Sequence, residues 1–261
     1  FFGIKKKSKI FTAVDAGWIN GHTYAFYGPL LLGGISVINE IPTLISIPRI
    51  LGKYLNIIQP DCFYTSVTLL RLLKSLSKSD EELLEFFDED FSLERIGSCG
   101  EALADNVGQW AINFFKPRRK AIVNTYFQTE TGGVLIAPRD EDSAPKNYSS
   151  VGKPKSDLGL TLAKDIMSKE EMNIEKIENN EILIKNYWKG IFDTVISDKK
   201  SNYFTNDGYF RLHDVGYFDE DGFLYIGGRS DDVINVSGHR ISSSEIESIC
   251  LDLDNVKEAC V

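Results

Sequence analysis

Apolar and polar positions alternate most regularly in the segment VTLLRLLKSLSK, residues 67–78. Its valine and leucines recur every three or four residues, a spacing that places them on one side of a helix. The segment therefore predicts an amphipathic helix with one buried face.

Shorter apolar runs, each bounded by glycine, proline or asparagine, are typical of buried strands. Five segments have this form: GGISVIN (33–39), DCFYTS (61–66), RIGSCG (95–100), KAIVNTYF (120–127) and EILIKN (181–186). Helix-like segments separate several of them, which indicates βαβ units and a mainly parallel sheet. We therefore expect an α/β fold.

The pattern changes from about Val215 onwards. The runs VGYF and FLYIGG flank an acidic turn, Asp219 to Gly222, and this arrangement predicts an antiparallel hairpin. A calcium-binding loop of the EF-hand type would need an acidic residue where Tyr217 stands, so we reject that alternative.

Beyond the hairpin, Ser242 is followed three residues later by Glu245, a capping box that predicts the start of the helix SEIESICLDL. The final VKEACV has the pattern of a strand. The region from Lys164 to Asn180 is rich in lysine, glutamate and asparagine, and we expect it to be a mobile surface insertion.

The composition narrows the class of protein. A chain of 261 residues is long enough for one large core or two domains, and its net charge of −9 argues against nucleic-acid or anionic-membrane partners. No apolar run approaches the ~20 residues of a membrane helix. The four cysteines lack the spacing of a zinc site or a disulfide framework, so we expect reduced thiols and a cytoplasmic protein.

The stretch NTYFQTETGG, residues 124–133, is the first candidate for chemistry. It places polar side chains at the carboxyl end of a predicted strand, where open α/β folds bind ligands. The Thr129 hydroxyl could donate to a phosphate, and the Glu130 carboxylate could hold Mg²⁺. Taken alone, the stretch is equally typical of a polar exit from a strand.

Two further stretches favour a nucleotide site. In GSCGEAL, residues 97–103, backbone groups beside two glycines could pair with a purine edge while Tyr126 stacks on its face. In the hairpin region, Asp214 could accept both hydroxyls of a ribose, and Arg229 could pair with ribose or phosphate oxygens.

Four motifs resemble those of the acyl-adenylate-forming enzymes, in the same order and at about the same spacing. They are GWINGH, GSCGEAL, TYFQTETGG and HDVGYFDEDGFLYIGGRSDDVINVSGHRIS. The resemblance is to the acetyl-CoA and propionyl-CoA synthetase group and extends from about Phe11 to Val261. It implies a ligase that uses ATP and Mg²⁺ to form an acyl-adenylate and then transfers the acyl group to coenzyme A.

The resemblance also implies residue roles. The nucleotide site would contain Gly100, Glu101, Ala102, Asn124, Thr125, Tyr126, Gln128, Thr129, Asp214, Arg229 and Gly238. Gly238 would flank the tunnel for the pantetheine arm, and Asp231 would be the hinge of a mobile domain. The catalytic group would be Thr129 at a phosphate, Glu130 as the Mg²⁺ ligand, Arg229, and Arg240 near the phosphate or coenzyme A.

The acyl pocket implied by the resemblance contains Trp18, Ile19, Asn20, Cys99 and Phe127. Phe127 would form its floor and block long chains. Because this phenylalanine is smaller than the tryptophan usual in acetate enzymes, we expect both acetate and propionate to react. The site also has Asn20 where a threonine is usual, and Ala102 where a proline is common.

The fold implied is the parallel-sheet-rich part of a large N-terminal AMP-binding domain, then a hairpin and the start of a small α+β C-terminal domain. We expect the first part in residues 1–229 and the hinge and C-terminal part in 230–261. The phosphate loop TSGSTGxPKG and the catalytic lysine of the family are absent from these residues. The chain therefore resembles an internal fragment with little activity of its own.

Two other functions remain open at this stage. One is an adenylation domain that loads a carrier-protein thiol, although VSGHR, residues 236–240, favours coenzyme A. The other is a non-catalytic nucleotide-binding module. The three histidines lack metal-ligand spacing and no Ser-His-Asp arrangement is legible, as expected where the substrate carboxylate is itself the nucleophile. The expected partners are small molecules.

Overall fold

The computed structural model of the chain describes 2–40, 46–76, 87–88, 90–119, 121–139, 146–175, 177–178, 180–192, 203–230, 233–236, 239–251, 253, 256, 259 and 261. The chain forms two compact units. Unit 1 consists of Phe1–Thr125 and Pro138–Ser149, and unit 2 consists of Tyr126–Ala137 and Ser150–Val261.

Unit 1 is built on five parallel strands in the order β2, β1, β3, β4, β5, which confirms the predicted parallel sheet. Its strands are β1 (Lys9–Ala13), β2 (Ile35–Val37), β3 (Cys62–Ser66), β4 (Arg95–Cys99) and β5 (Ile122–Asn124). The helices described in unit 1 are a π-helical turn (Gly21–Tyr27), α1 (Gly28–Leu31), α2 (Pro48–Ile58), α3 (Val67–Leu76) and α4 (Asp105–Phe115).

The core of unit 1 forms where α3 and α4 cover the sheet. Helix α3 is the helix predicted from VTLLRLLKSLSK, and it buries Val67, Leu70 and Leu73 while Leu76 is exposed. Strands β3 and β4 are buried on both faces, as expected for parallel strands between layers of helix. Both strands end at the same edge of the sheet, so the polar loops that follow them share that edge.

Unit 2 is built on four antiparallel strands in the order β6, β7, β8, β9. These are β6 (Leu160–Leu162), β7 (Glu181–Ile184), β8 (Phe210–Phe218) and β9 (Leu224–Arg229). The pairing of β8 with β9 confirms the predicted hairpin. The strand predicted in EILIKN is β7, and both of its neighbours run antiparallel to it.

Among the described residues, unit 2 also contains α5 (Ala163–Ile166), α6 (Lys169–Glu175), the antiparallel pair β10 (Val233–Val236) and β11 (His239–Ser242), and α7 (Ser243–Leu251). Helix α7 confirms the helix predicted after Ser242. The side chains of its proposed capping box lie outside the described residues, as do three of the six residues of the expected strand VKEACV. The other three, Val256, Ala259 and Val261, are not in a strand.

The region from Lys164 to Asn180 is not simply a surface insertion. Helix α6 carries Met172, which packs with Ile177, Ala163 and Leu183 in a buried cluster. The sequence did not reveal this packing, because Met172 and Ile177 are only two buried apolar residues among many charged ones. None of the helices in the described ranges is long and apolar enough to cross a bilayer.

Candidate active site

The loop after β4 presents backbone rather than side chains. Gly100 has a φ of +94°, and a Cβ placed there would meet nothing within 4 Å, so a flat ligand could approach this backbone. The Glu101 carboxylate accepts a hydrogen bond from Thr68 and pairs with Arg71 on α3. Ala102 is exposed. The carboxylate thus anchors the loop to α3 and leaves the Gly100 side of the loop open.

Asn124 and Thr125, at the end of β5, are buried and bonded within unit 1. The Asn124 amide nitrogen lies 3.4 Å from the carbonyl oxygens of Tyr148 and Ser149. The Thr125 hydroxyl donates to the Ser98 carbonyl at 2.7 Å. These bonds fix the end of the strand, so any contact of the two residues with a purine falls to their backbone.

Tyr64 is a residue that the sequence does not single out. Its hydroxyl lies 2.8 Å from the Thr125 hydroxyl, and because the Thr125 proton goes to Ser98, Tyr64 is the donor. The ring is completely buried against Phe2 and Tyr24. A tyrosine inside a strand of apolar pattern was the available signal.

Among the residues predicted for the acyl pocket, the structure brings Asn20 and Cys99 together. Both are buried, and the Asn20 side chain is close enough to the Cys99 thiol to lower its pKa slightly against the larger effect of burial. Burial raises the pKa of Cys99 to about 12, so this group remains a neutral thiol. The Asn20 Oδ1 has no partner among the described residues, which leaves hydrogen-bonding capacity at this position.

The other acyl-pocket residues are placed differently. The Trp18 side chain is 67% exposed, so its indole forms no buried wall within unit 1. Ile19 is half-buried. Phe127 is also half-buried and belongs to unit 2.

Unit 2 holds the most strongly bonded part of the candidate site, around Asp214. The Tyr126 hydroxyl donates to Asp214 Oδ2 at 2.6 Å, and the Gln128 amide donates to the same oxygen at 2.7 Å. Gln128 also donates to the Leu212 carbonyl at 2.5 Å. Asp214 is buried, with a side-chain exposure of 11%. A carboxylate with so little solvent is held in one orientation by its donors.

Asp214 and Arg229 are direct partners across the β8–β9 hairpin. Arg229 Nη1 lies 3.7 Å from Asp214 Oδ1, and its side chain is 45% exposed. The strand is distorted on both sides of Asp214, since His213 has a φ of +54° and the register shifts between Val215 and Gly216. Such bulges re-aim side chains, and here a carboxylate and a guanidinium meet at one edge of the sheet.

Thr129 and Glu130 lie on a short 3₁₀ turn, Thr129–Thr131. The Thr131 side chain is buried, and its hydroxyl lies within hydrogen-bond distance of the Gln128 and Gly133 carbonyls. Thr129 is exposed. The turn is therefore fixed through Thr131 and presents Thr129 outward, as a phosphate contact would require.

Glu130 accepts a hydrogen bond from the Tyr203 hydroxyl at 3.3 Å. Within the described residues no group of three or more His, Cys, Asp or Glu is placed to hold a metal ion. A single carboxylate is still sufficient for Mg²⁺, which usually binds one or two protein carboxylates and completes its coordination shell with water and substrate phosphates. Glu130 therefore suits a metal that arrives with a phosphate ligand.

Sequence reasoning missed a buried ion pair next to this site. Arg211 on β8 makes two bonds to Glu181 on β7, at 2.8 Å and 3.0 Å, and both side chains are almost fully buried. His213 Nδ1 lies 3.7 Å from the same carboxylate. The available signal was the presence of Glu181 and Arg211 in two largely apolar strands.

Three predicted residues cannot be placed. Asp231 and Gly238 lie outside the described residues, and the side chain of Arg240 on β11 does so too. Their roles stay predictions.

Comparisons with known proteins identify the family of the chain. A sequence profile of the AMP-binding enzyme family matches residues 2–188. Acetyl-coenzyme A synthetase 2 of Candida albicans is 35% identical over 283 residues, and acetyl-coenzyme A synthetase 1 of Kluyveromyces lactis is 35% identical over 278 residues. Both matches cover 100% of this chain but only 38% and 36% of those proteins. The chain thus spans little more than a third of their length.

A solved structure shows the same fold. The anthranilate CoA ligase AuaEII, crystallised with anthranoyl-AMP, superposes with a TM-score of 0.74 at 20% sequence identity. The match covers 98% of this chain and 46% of that one. With a family profile that matches well over half of its residues, the chain belongs to the AMP-binding enzyme family.

Proposed function

We propose that the protein containing this chain is an ATP-dependent short-chain acyl-CoA ligase that works through an acyl-adenylate. The observation that carries the proposal is the Asp214–Arg229 pair: a buried, hydrogen-bonded carboxylate and a half-exposed guanidinium at one edge of a sheet. The synthetase names of the relatives support the same reaction class, since their similarity spans the whole chain.

Each part of the nucleotide has a matching group in one of the two units. The open backbone at Gly100 suits the adenine, and Asp214 suits the ribose hydroxyls because an ionised carboxylate is a strong acceptor. Thr129 would donate to a phosphate oxygen. Glu130 would hold Mg²⁺, whose charge would offset that of the phosphates.

In the first step, a carboxylate oxygen of the acid attacks the α-phosphorus of ATP and pyrophosphate leaves. In the second, the sulfur of coenzyme A attacks the acyl carbon, the thiol proton is lost and AMP leaves. The chain supplies charge and alignment for both steps rather than a nucleophile. Arg229 and Arg240 are the proposed cationic groups.

The proposed acids are acetate and propionate. Phe127 would limit the length of the acyl chain, and Ile19, Asn20 and Cys99 would complete the pocket. One methylene changes binding in an apolar pocket by roughly 1 to 3 kcal/mol, so the two acids would react at comparable efficiency. Residues 1–229 and 230–261 are the proposed domain portions, with Asp231 as the hinge.

Isotope exchange tests the proposal in the full-length protein. We expect acetate and propionate each to drive exchange of labelled pyrophosphate into ATP, and coenzyme A to convert the acid to its thioester with release of AMP. An adenylation domain that loads a carrier-protein thiol would show pyrophosphate exchange without forming acyl-CoA. A nucleotide-binding module would bind ATP and show no acid-dependent exchange, and either result would contradict the proposal.

A further inference from the structure

We propose that Tyr126 and Gln128 are positioning residues that orient the Asp214 carboxylate for the ribose. This proposal rests on the nucleotide site proposed above. In this role Tyr126 acts through its hydroxyl group, and not chiefly as a surface on which the purine stacks.

The contacts give the first support. Two neutral donors, the Tyr126 hydroxyl and the Gln128 amide, converge on the single oxygen Oδ2 of Asp214 at 2.6 Å and 2.7 Å. The shorter distance is that of a hydrogen bond from a hydroxyl to an ionised carboxylate. Both donors are neutral, so they fix the carboxylate without offsetting its charge.

The surroundings of Tyr126 give the second. The residue is only 7% exposed, and its ring packs in the apolar cluster that includes Leu135 and Ile136. A ring that stacks on a base must offer it an open face, and a side chain buried to this degree offers little. Burial, with the adjacent Asp214 charge, raises the pKa of Tyr126 well above its ordinary value, so the donor keeps its proton.

The backbone explains why such support is needed. The terminal torsion of an aspartate side chain is broad, so the strand alone does not fix the carboxylate plane. Here the strand is also irregular, with a positive φ at His213 and a register shift after Val215. Gln128 holds both the Leu212 carbonyl and the Asp214 carboxylate, and so ties the turn after Phe127 to this irregular segment.

The test measures ribose recognition directly. The affinities of AMP and 2′-deoxy-AMP are determined by calorimetry for the full-length protein and its variants. Tyr126→Phe removes one oxygen and keeps the ring; we expect it to weaken AMP about tenfold, the value of one hydrogen bond to a charged group. The affinity of 2′-deoxy-AMP should change much less, so the preference for AMP should shrink.

Tyr225→Phe is the matched control. Tyr225 is a buried tyrosine of the same unit, and its hydroxyl bonds a different carboxylate, that of Asp219, at 3.3 Å. We expect its preference for AMP to equal that of the unmodified protein. Gln128→Met removes the second donor and should shrink the preference as Tyr126→Phe does, which keeps the test decisive if Tyr126→Phe folds poorly.

Two results would overturn the proposal. If Tyr126→Phe and Gln128→Met weaken AMP and 2′-deoxy-AMP equally, the two residues have only a structural role. The variant Asp214→Asn tests separately whether the carboxylate binds the ribose at all. If Asp214→Asn keeps the full preference for AMP, the carboxylate does not bind the ribose, and the assignment of the site falls together with this inference.

Discussion

Arg211 and Glu181 form a doubly bonded ion pair inside unit 2, with side-chain exposures of 5% and 0%. Their two hydrogen bonds join the central strands β7 and β8 three residues before Asp214. The pair thus joins β7 to the strand that carries Asp214, the proposed ribose ligand.

Breaking this pair should be costly. Arg211→Met leaves the Glu181 carboxylate buried without its cation, and we expect a loss of about 3 to 5 kcal/mol in the free energy of unfolding, measured with urea. The double variant Arg211→Met, Glu181→Leu replaces both charges by apolar groups and should recover most of the loss. If the double variant is as unstable as the single one, the loss comes from removing the ion pair itself and not from an unpaired buried charge, which would contradict this prediction.

Gly132, which directly follows the 3₁₀ turn, should tolerate no side chain. It has a φ of +69°, and a Cβ there would overlap the carbonyl oxygen of Gly190. Gly208 is the control, since it also has a positive φ, +77°, but a Cβ there meets nothing within 4 Å. We expect Gly208→Ala to cost about 1 to 2 kcal/mol from backbone strain alone and Gly132→Ala distinctly more. Thermal unfolding of both variants measures the difference, and equal costs would contradict the predicted overlap.

Glu130→Gln tests the metal assignment in the full-length protein. The substitution keeps the shape and removes the charge, so we expect at least tenfold more Mg²⁺ to be needed for half-maximal pyrophosphate exchange. Tyr203→Phe removes the neighbouring hydroxyl and leaves the carboxylate, and serves as the control. An unchanged magnesium dependence in Glu130→Gln, with the fold intact, would remove this residue from the site.

Phe127→Gly tests the acyl pocket. Removing the ring should admit longer acids, and kcat/KM for butyrate and hexanoate should rise relative to acetate by roughly tenfold or more, the value of one or two methylenes. The measurement is kcat/KM for acetate, propionate, butyrate and hexanoate in both proteins. A folded variant with an unchanged profile would show that Phe127 does not line the pocket.

The two buried thiols predict loss of stability at alkaline pH. Burial raises the pKa of Cys62 and of Cys99 from 9.0 to about 12. Above pH 9 the unfolded thiols lose protons that the folded ones keep, so stability is complete below pH 9 and falls as the pH rises toward 12. The slope is at most about 1.4 kcal/mol per pH unit for each thiol. Unfolding of Cys62→Ala between pH 8 and 11 should show a shallower fall, and an identical slope would contradict this.

The sequence predicted the elements whose signals are local. Helix α3 repeats its leucines within ten residues, and the β8–β9 hairpin has its turn residues between two apolar runs. Strand β1 was missed, because its five residues directly follow a lysine-rich start. The resemblance placed Asp214 and Arg229 in one site, and the structure shows them as cross-strand partners.

The contacts that orient the site could not be predicted in the same way. The Tyr126–Asp214 bond joins residues 88 positions apart, and the Arg211–Glu181 bonds join residues 30 positions apart. Spacing along the chain does not show such pairs, because they depend on how β7, β8 and the segment after β5 meet. The bulge that turns Asp214 likewise leaves no mark in the alternation of apolar residues.

The alternation of the two units along the chain has a consequence for synthesis on the ribosome. Strand β5 lies at the end of the first stretch of unit 1, Phe1–Thr125. The Asn124 side chain nevertheless hydrogen-bonds the carbonyls of Tyr148 and Ser149, which belong to the second stretch and emerge only after Tyr126–Ala137 of unit 2. Tyr148 also packs directly over Gly108 on α4. A nascent chain that has reached Thr125 therefore contains the five strands of the parallel sheet but lacks Pro138–Ser149, the second stretch of unit 1. Because each unit consists of two stretches of the chain, neither can be expressed as one continuous segment.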